Sequence, residues 1–160
     1  MGELFDVAEL VRVAVEDERT GGAFYATAAE QASSPELKGI FTGLADQERY
    51  HQKRFENMLA ELGEVKPPEL YSGEYANYLA ALTRDRAFPD ETSAVRMAEQ
   101  CEDDLAFLDV ALGFERNTLN LVNEMRVLVP DTDKDIVDDI TCEEQAHLVA
   151  LLEARDKLKG

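Results

Sequence analysis

Two histidines occur among the 160 residues, and each stands three positions after a glutamate: Glu48-x-x-His51 within "LADQERYH" and Glu144-x-x-His147 within "CEEQAH". Carboxylate and imidazole together suit iron, manganese or zinc, and on a helix a spacing of three turns both donors to one face. Metal binding is therefore the chemistry to test. Taken singly, either motif reads equally as a surface pair or a satisfied core polar pair. The directions in which the surrounding residues turn these side chains separate the two readings.

Around the first motif, Leu37, Phe41, Leu44, Glu48, His51, Phe55, Met58 and Leu62 follow one another in alternating steps of four and three. Around the second, Val137, Ile140, Glu144, His147, Leu151, Ala154 and Leu158 do the same. Both Glu–His pairs thus occupy the inward, apolar line of an amphipathic helix. A buried carboxylate costs several kcal/mol unless something pairs with it, so other helices must supply partners. A helix over 6–32 offers Glu18, in the line Val7, Val11, Ala14, Glu18, Gly21, Tyr25, Ala28, Ala32; Glu16 and Glu30 fall off it.

A third long helix has Glu99, Glu102 and Glu115 as rivals. In an antiparallel hairpin, residues at one height lie equally far from the turn, because each residue rises about 1.5 Å. Glu18 and Glu48 balance about Ser33 and Ser34. Glu115 and Glu144 lie 15 and 14 residues from Pro130, whereas Glu102 would sit roughly 20 Å off level. Glu115 is selected, in the line Leu108, Ala111, Glu115, Thr118, Val122, Met125, Val129. The two hairpins read as an internal repeat, with their glutamates 30 and 29 residues apart.

The elements that must hold these residues follow from local signals. Ser34 can cap and Pro35 open a second helix that runs to Gly63 and the break "KPP". A third helix starts near Asp103 and a fourth near Asp131, with Pro130 between them. Residues 64–102 hold two shorter helical pieces divided by "FPD", which read as a crossover rather than as bundle core. Strand signals are almost absent. The expectation is an all-α four-helix bundle: two antiparallel hairpins joined by a long crossover with short extra helices, one domain over 1–160. Tyr71, Tyr75 and Tyr78 in the crossover either cover the core or form the contact of a homodimer.

The formal charge of −18, from 34 acidic and 16 basic residues, excludes nucleic acid and anionic membrane as partners and favours cations. The N-terminus lacks a basic start followed by an apolar run, and no stretch approaches the roughly 18 apolar residues of a membrane span. A cytoplasmic location is expected. Cys101 and Cys142 make no C-x-x-C, which excludes a redox dithiol and a thiolate zinc knuckle; they read as buried free thiols.

One layer of such a bundle gathers Glu18, Glu48, His51, Glu115, Glu144 and His147. Four buried anions repel one another, and two divalent cations would cancel their charge. One Glu from each of two helices plus a Glu-x-x-His from each of the other two is the known ligand pattern of ferritin-like di-iron carboxylate bundles. With "AVEDERTGGAFY", "LADQERYH", "ALGFERNTLNLV" and "CEEQAH", most of the chain resembles the rubrerythrin branch of that superfamily. The resemblance implies two iron ions, with manganese or zinc fitting the same donors, and Glu48 and Glu144 as bridging carboxylates. It implies reduction of hydrogen peroxide or dioxygen with electrons from an external donor; the alternative is an iron-binding, ferroxidase role in iron handling. Two departures stand out. The cysteine-ligated rubredoxin site is missing, and Leu121 and Val122 stand where many relatives carry an aromatic pair. The first helix keeps its pair, Phe24 and Tyr25. Tyr25, two turns from Glu18 on the same face, is the candidate catalytic residue, able to hydrogen-bond a ligand carboxylate or supply an electron; plain core packing explains it as well.

Overall fold

In a computed structural model, described over residues 7–62 and 73–160, the chain forms six helices. They are α1 (Val7–Gln31), α2 (Pro35–Leu62), α3 (Gly73–Arg84), α4 (Glu91–Glu99), α5 (Asp104–Leu128) and α6 (Asp131–Lys159). No strand occurs among the described residues. The expected break at "KPP", Tyr71 and the side chain of Tyr75 lie outside the described residues.

Short polar signals set the helix ends. Ser34 Oγ accepts the Leu37 amide at 3.4 Å and Pro35 opens α2. Asp90 caps α4 by accepting the Ser93 amide at 2.7 Å, and Asp103 caps α5 by accepting the Ala106 amide at 2.8 Å. Such caps satisfy amides that a helix start leaves without partners. The Asp104 carboxylate in turn accepts the amides of Ser33 and Ser34, at 2.8 and 3.0 Å, and pins the α1–α2 turn to the start of α5. Asp131 and Asp133 in the first turn of α6, with Lys157 and Lys159 in its last, complement the helix dipole.

The four long helices pack as two antiparallel hairpins, α1–α2 and α5–α6, with α1 also against α5 and α2 against α6. Buried apolar residues form two clusters. Val7, Val11, Phe55, Met58, Val122, Met125, Val137 and Ile140 belong to one; Phe24, Tyr25, Phe41, Phe107, Leu108, Phe114, Leu151 and Ala154 belong to the other. Along every long helix the chain passes from one cluster to the other, and the Glu and His residues lie at the passage. The core is thus cut by a polar layer at mid-height.

Three expectations need correction. The connection between the hairpins is not mere crossover: Phe88, Ala94 and Ala98 are buried in the aromatic cluster and Leu79 in the aliphatic one. An alanine face lets α4 lie closely along α1, and the Arg86–Asp17 ion pair at 2.6 Å fastens the segment before it. Leu158, the end of the inward line of the last helix, is 43% exposed, at a surface hollow beside Ser33 and the start of α5. Cys101 is half-buried and Cys142 exposed, on the outer face of α6, so neither is a core thiol. Tyr78 is exposed. No helix among the described residues is long and apolar enough to cross a membrane.

Gly21 is required by packing. A Cβ there would lie 2.2 Å from Phe114 Cζ, and Phe114 is held by Tyr25 and Phe88, with ring centroids 6.0 and 5.3 Å away. Overpacking of this kind costs about 1–3 kcal/mol, more than the gain of up to about 1 kcal/mol from replacing a helical glycine by alanine. Gly21→Ala should therefore lower the melting temperature by roughly 2–8 °C. Gly113→Ala, where a Cβ would meet nothing within 4 Å, should raise it. Thermal melts followed by circular dichroism check both, and a stabilising Gly21→Ala would contradict this packing.

Candidate metal centre

Each long helix brings its inward acid to the layer at mid-length. Glu18, Glu48, His51, Glu115, Glu144 and His147 are all buried, and the structure brings all six together. They form two sets whose donor atoms lie within 4.8 Å of one another: Glu18, Glu48, His51, Glu144, and Glu48, Glu115, Glu144, His147. Glu48 and Glu144 belong to both. The rivals from the sequence are elsewhere: Glu99, Glu102 and Glu30 are exposed, and Glu16 is occupied by Arg19 at 2.7 Å near the surface.

Nδ1 of each imidazole faces the carboxylates. His51 Nδ1 lies 2.7 Å from Glu144 Oε1 and 3.6 Å from Glu18 Oε2. His147 Nδ1 lies 3.0 Å from Glu144 Oε2, 3.4 Å from Glu48 Oε1 and 3.6 Å from Glu115 Oε1. The two rings stack with centroids 5.6 Å apart. Close as these approaches are, none has the direction of a hydrogen bond. Both carboxylate oxygens of Glu18, Glu48 and Glu144, Oε2 of Glu115 and both Nδ1 atoms are buried without a hydrogen-bond partner. Donors aimed at a common point rather than at each other are the expected state of ligands to a cation, since buried polar atoms otherwise find partners.

Among the described residues no lysine or arginine pairs with the four carboxylates; their charged neighbours are the two histidines. Burial, reinforced by neighbouring carboxylates, pushes Glu18, Glu48 and Glu115 well above the usual carboxylate range. Burial pushes Glu144 the same way, but the two imidazoles that face it outweigh this and hold it at about 2. For both histidines burial favours the neutral ring, and the carboxylates facing them prevail and raise their pKa. Without a cation, protons take over the role of counter-charge.

A second ring of residues supports the first. Tyr25 donates its hydroxyl to Glu115 Oε1 across the bundle rather than to Glu18 on its own helix. It is enclosed by Phe24, Phe41 and Phe114. His51 Nε2 lies 2.5 Å from Glu143 Oε2, and His147 Nε2 is hydrogen-bonded to Gln47 Oε1. Sequence reasoning missed Gln47 and Glu143 because both sit off the inward line. The available signal was position, since each immediately precedes the glutamate of a Glu-x-x-His. Outside the layer, a surface hollow of about 350 Å³ between α1 and α2 reaches Glu18 and is lined by Gly22, Ala23 and Ala26, with Arg19, Arg49, Gln52 and Glu91 at its margin.

Residues 9–109 match the family described as Rubrerythrin. That span contains Glu18, Glu48 and His51 and ends before Glu115, so the other three residues of the layer rest on geometry. A crystal structure from Thermotoga maritima, described as a candidate ferritin-like diiron-carboxylate protein, has a TM-score of 0.72 to this fold, with 25% identity over 98% of each chain. No curated protein matches the sequence significantly. The family and the buried cluster together indicate a di-metal site.

The direction of the proton equilibria makes a prediction for the metal-free protein. Glu18, Glu48, Glu115, His51 and His147 hold their protons to higher pH in the fold than in an unfolded chain, where glutamate titrates near 4.3 and histidine near 6.5. The folded state then binds more protons, and stability is lost as pH rises through the raised values. Glu144 acts oppositely, but only as pH falls toward about 2. Metal-free protein should thus melt at a lower temperature at pH 8 than at pH 5.5. A melting temperature that rises over this interval would show that the carboxyls ionise without penalty.

Proposed function

The chain belongs to the rubrerythrin family of ferritin-like di-iron carboxylate proteins, and from that premise we propose that it reduces hydrogen peroxide at two iron ions, with electrons from an external donor. The observation that carries the reading is the pair of overlapping four-donor sets with their partnerless oxygen and nitrogen atoms. Glu18, Glu48, His51 and Glu144 would hold one ion; Glu48, Glu115, Glu144 and His147 would hold the other, with Glu48 and Glu144 shared. Four carboxylates balance two divalent cations, and imidazole with carboxylate suits iron.

When bound, two ferrous ions supply one electron each, which together with two protons is what converts one hydrogen peroxide to two waters. The chain's own residues set the conditions. Burial and the neighbouring Glu115 raise the Tyr25 phenol well above its ordinary range, so at neutral pH Tyr25 Oη keeps its proton and holds it on Glu115 Oε1. The rings of Phe24, Phe41 and Phe114 close this side to water. Beside Glu18, small residues at Gly22, Ala23 and Ala26 leave a hollow open to a molecule the size of peroxide. No C-x-x-C occurs within these 160 residues, so the electrons are drawn from a separate donor site.

The net charge of −18 favours a second reading, in which the protein gathers ferrous iron and oxidises it for transfer. An acidic surface concentrates cations and loses that effect in salt. Strong slowing of iron uptake by salt, with dioxygen outpacing peroxide as oxidant, would select this reading instead.

Two measurements test the proposal. Elemental analysis after anaerobic ferrous loading should give two ions per chain; Glu115→Ala should reduce this to one or fewer, and Glu102→Ala should leave it at two. Reduced, iron-loaded protein mixed rapidly with excess peroxide should consume one peroxide per ion pair and then stall until reductant is added. Sustained consumption without a donor would replace peroxide reduction by a dismutating cycle.

A further inference from the structure

The two histidines are supported by different chemistry. His51 Nε2–H donates to the carboxylate of Glu143 at 2.5 Å, whereas His147 Nε2–H donates to the amide oxygen of Gln47. The arrangement is reciprocal: Gln47 on α2 serves the histidine of α6, and Glu143 on α6 serves the histidine of α2. Each stands directly before the glutamate of its own helix's motif. In both cases the outer nitrogen is the donor, so the inner Nδ1 is the nitrogen left to bind a cation once its own proton is shed. The acceptors, however, differ by a full charge. A carboxylate pulls the Nε2 proton harder than an amide does and leaves more electron density on the ring, which makes Nδ1 the stronger ligand.

A second asymmetry points the same way. Glu115 Oε1 accepts the hydroxyl of Tyr25, so part of its charge is already engaged, while both oxygens of Glu18 are free of hydrogen bonds. Seven residues after Glu115, where Tyr25 would have its counterpart, stands Val122, which offers no donor. The set containing Glu18 and His51 is therefore richer in available charge than the set containing Glu115 and His147.

Resting on the dinuclear reading above, we propose that Glu143 and Gln47 act as positioning residues that make the two metal positions unequal, so that the position of Glu18 and His51 fills first and binds more tightly. Glu143 is 42% exposed, and among the described residues its ion-pair partner is His51, so the charge it contributes is directed at that ring. Gln47 gives His147 the same tautomer without the charge.

The test is a titration of the metal-free, full-length chain with cobalt(II), followed by calorimetry and visible absorbance under anaerobic conditions. The wild-type protein should take up two ions in separated steps. Glu143→Gln keeps an acceptor for His51 but removes its charge, and should weaken the tighter step by roughly 10–100-fold, bringing the steps together. Gln47→Glu should tighten the weaker step, the double exchange should restore the separation, and Glu143→Asp should retain much of it. Glu18→Ala should abolish the tighter step and Glu115→Ala the weaker. Circular dichroism should show the helical content unchanged in the Glu143 and Gln47 variants, since each exchange leaves the histidine an acceptor. Two ions bound in equal steps by the wild type, or a separation that Glu143→Gln leaves intact, would overturn this inference alone. Fewer than two ions in the wild type would overturn it together with the dinuclear reading.

Discussion

Four carboxylates share one buried layer of this bundle with no lysine or arginine paired to them among the described residues, and the rest of the structure is arranged around that repulsion. Taking anions out of water costs several kcal/mol each, and setting them side by side costs more. The layer tolerates this in two ways. Raised pKa values on Glu18, Glu48, Glu115 and both histidines let protons offset it in the metal-free state, and two divalent cations would do so when bound. The two solutions exclude each other, since ligands must shed their protons to bind a metal. The side chains are placed for the second: their polar atoms converge without bonding one another.

Holding such a layer requires force from elsewhere, and the apolar clusters on either side supply it. Each long helix runs from one cluster through the layer into the other, so none of the six layer residues sits near a helix end where fraying would release it. The aromatic side is cross-linked by specific contacts. Phe114 lies on Gly21, Tyr25 crosses from α1 to Glu115, and Phe88 and the alanine face of α4 close the outside. The Asp104 carboxylate fixes the α1–α2 turn to α5, which keeps the two hairpins at one height. Level is what the ligands need, because a slip of one helical turn, about 5.4 Å, would separate the two glutamates of a hairpin beyond a shared ion.

Much of this was legible in the sequence for a physical reason. Helical periodicity fixes the direction of a side chain, and distance from a turn fixes its height, so direction and height together placed Glu18, Glu48, His51, Glu115, Glu144 and His147 in one layer. Periodicity does not report how two helices are rotated about each other. Gln47 and Glu143 were invisible to it, since they become partners of His147 and His51 only when α2 and α6 lie side by side. Small residues are equally silent. Ala94 and Ala98 make a helix face as buried as any leucine face, yet their weak hydrophobicity made α4 read as a connector. Cys142 and Leu158 are exposed although each is apolar enough to expect burial; Leu158 lies in the last turn of α6, at a surface hollow beside the start of α5.

The two hairpins carry their glutamates 30 and 29 residues apart, and a strict repeat would make two identical metal positions. Single side chains break the identity. Tyr25 donates to Glu115, whereas Val122, its counterpart on α5, gives Glu18 nothing. Glu143 offers His51 a charge, whereas Gln47 offers His147 a dipole. All of these differences lie one contact away from the six residues of the layer, whose types and spacing are untouched. A layer whose charge must cancel cannot change its ligands one at a time without leaving an anion unpaired. The residues behind the layer are free of that restriction, and through them one chain containing both hairpins would tune two metal positions separately.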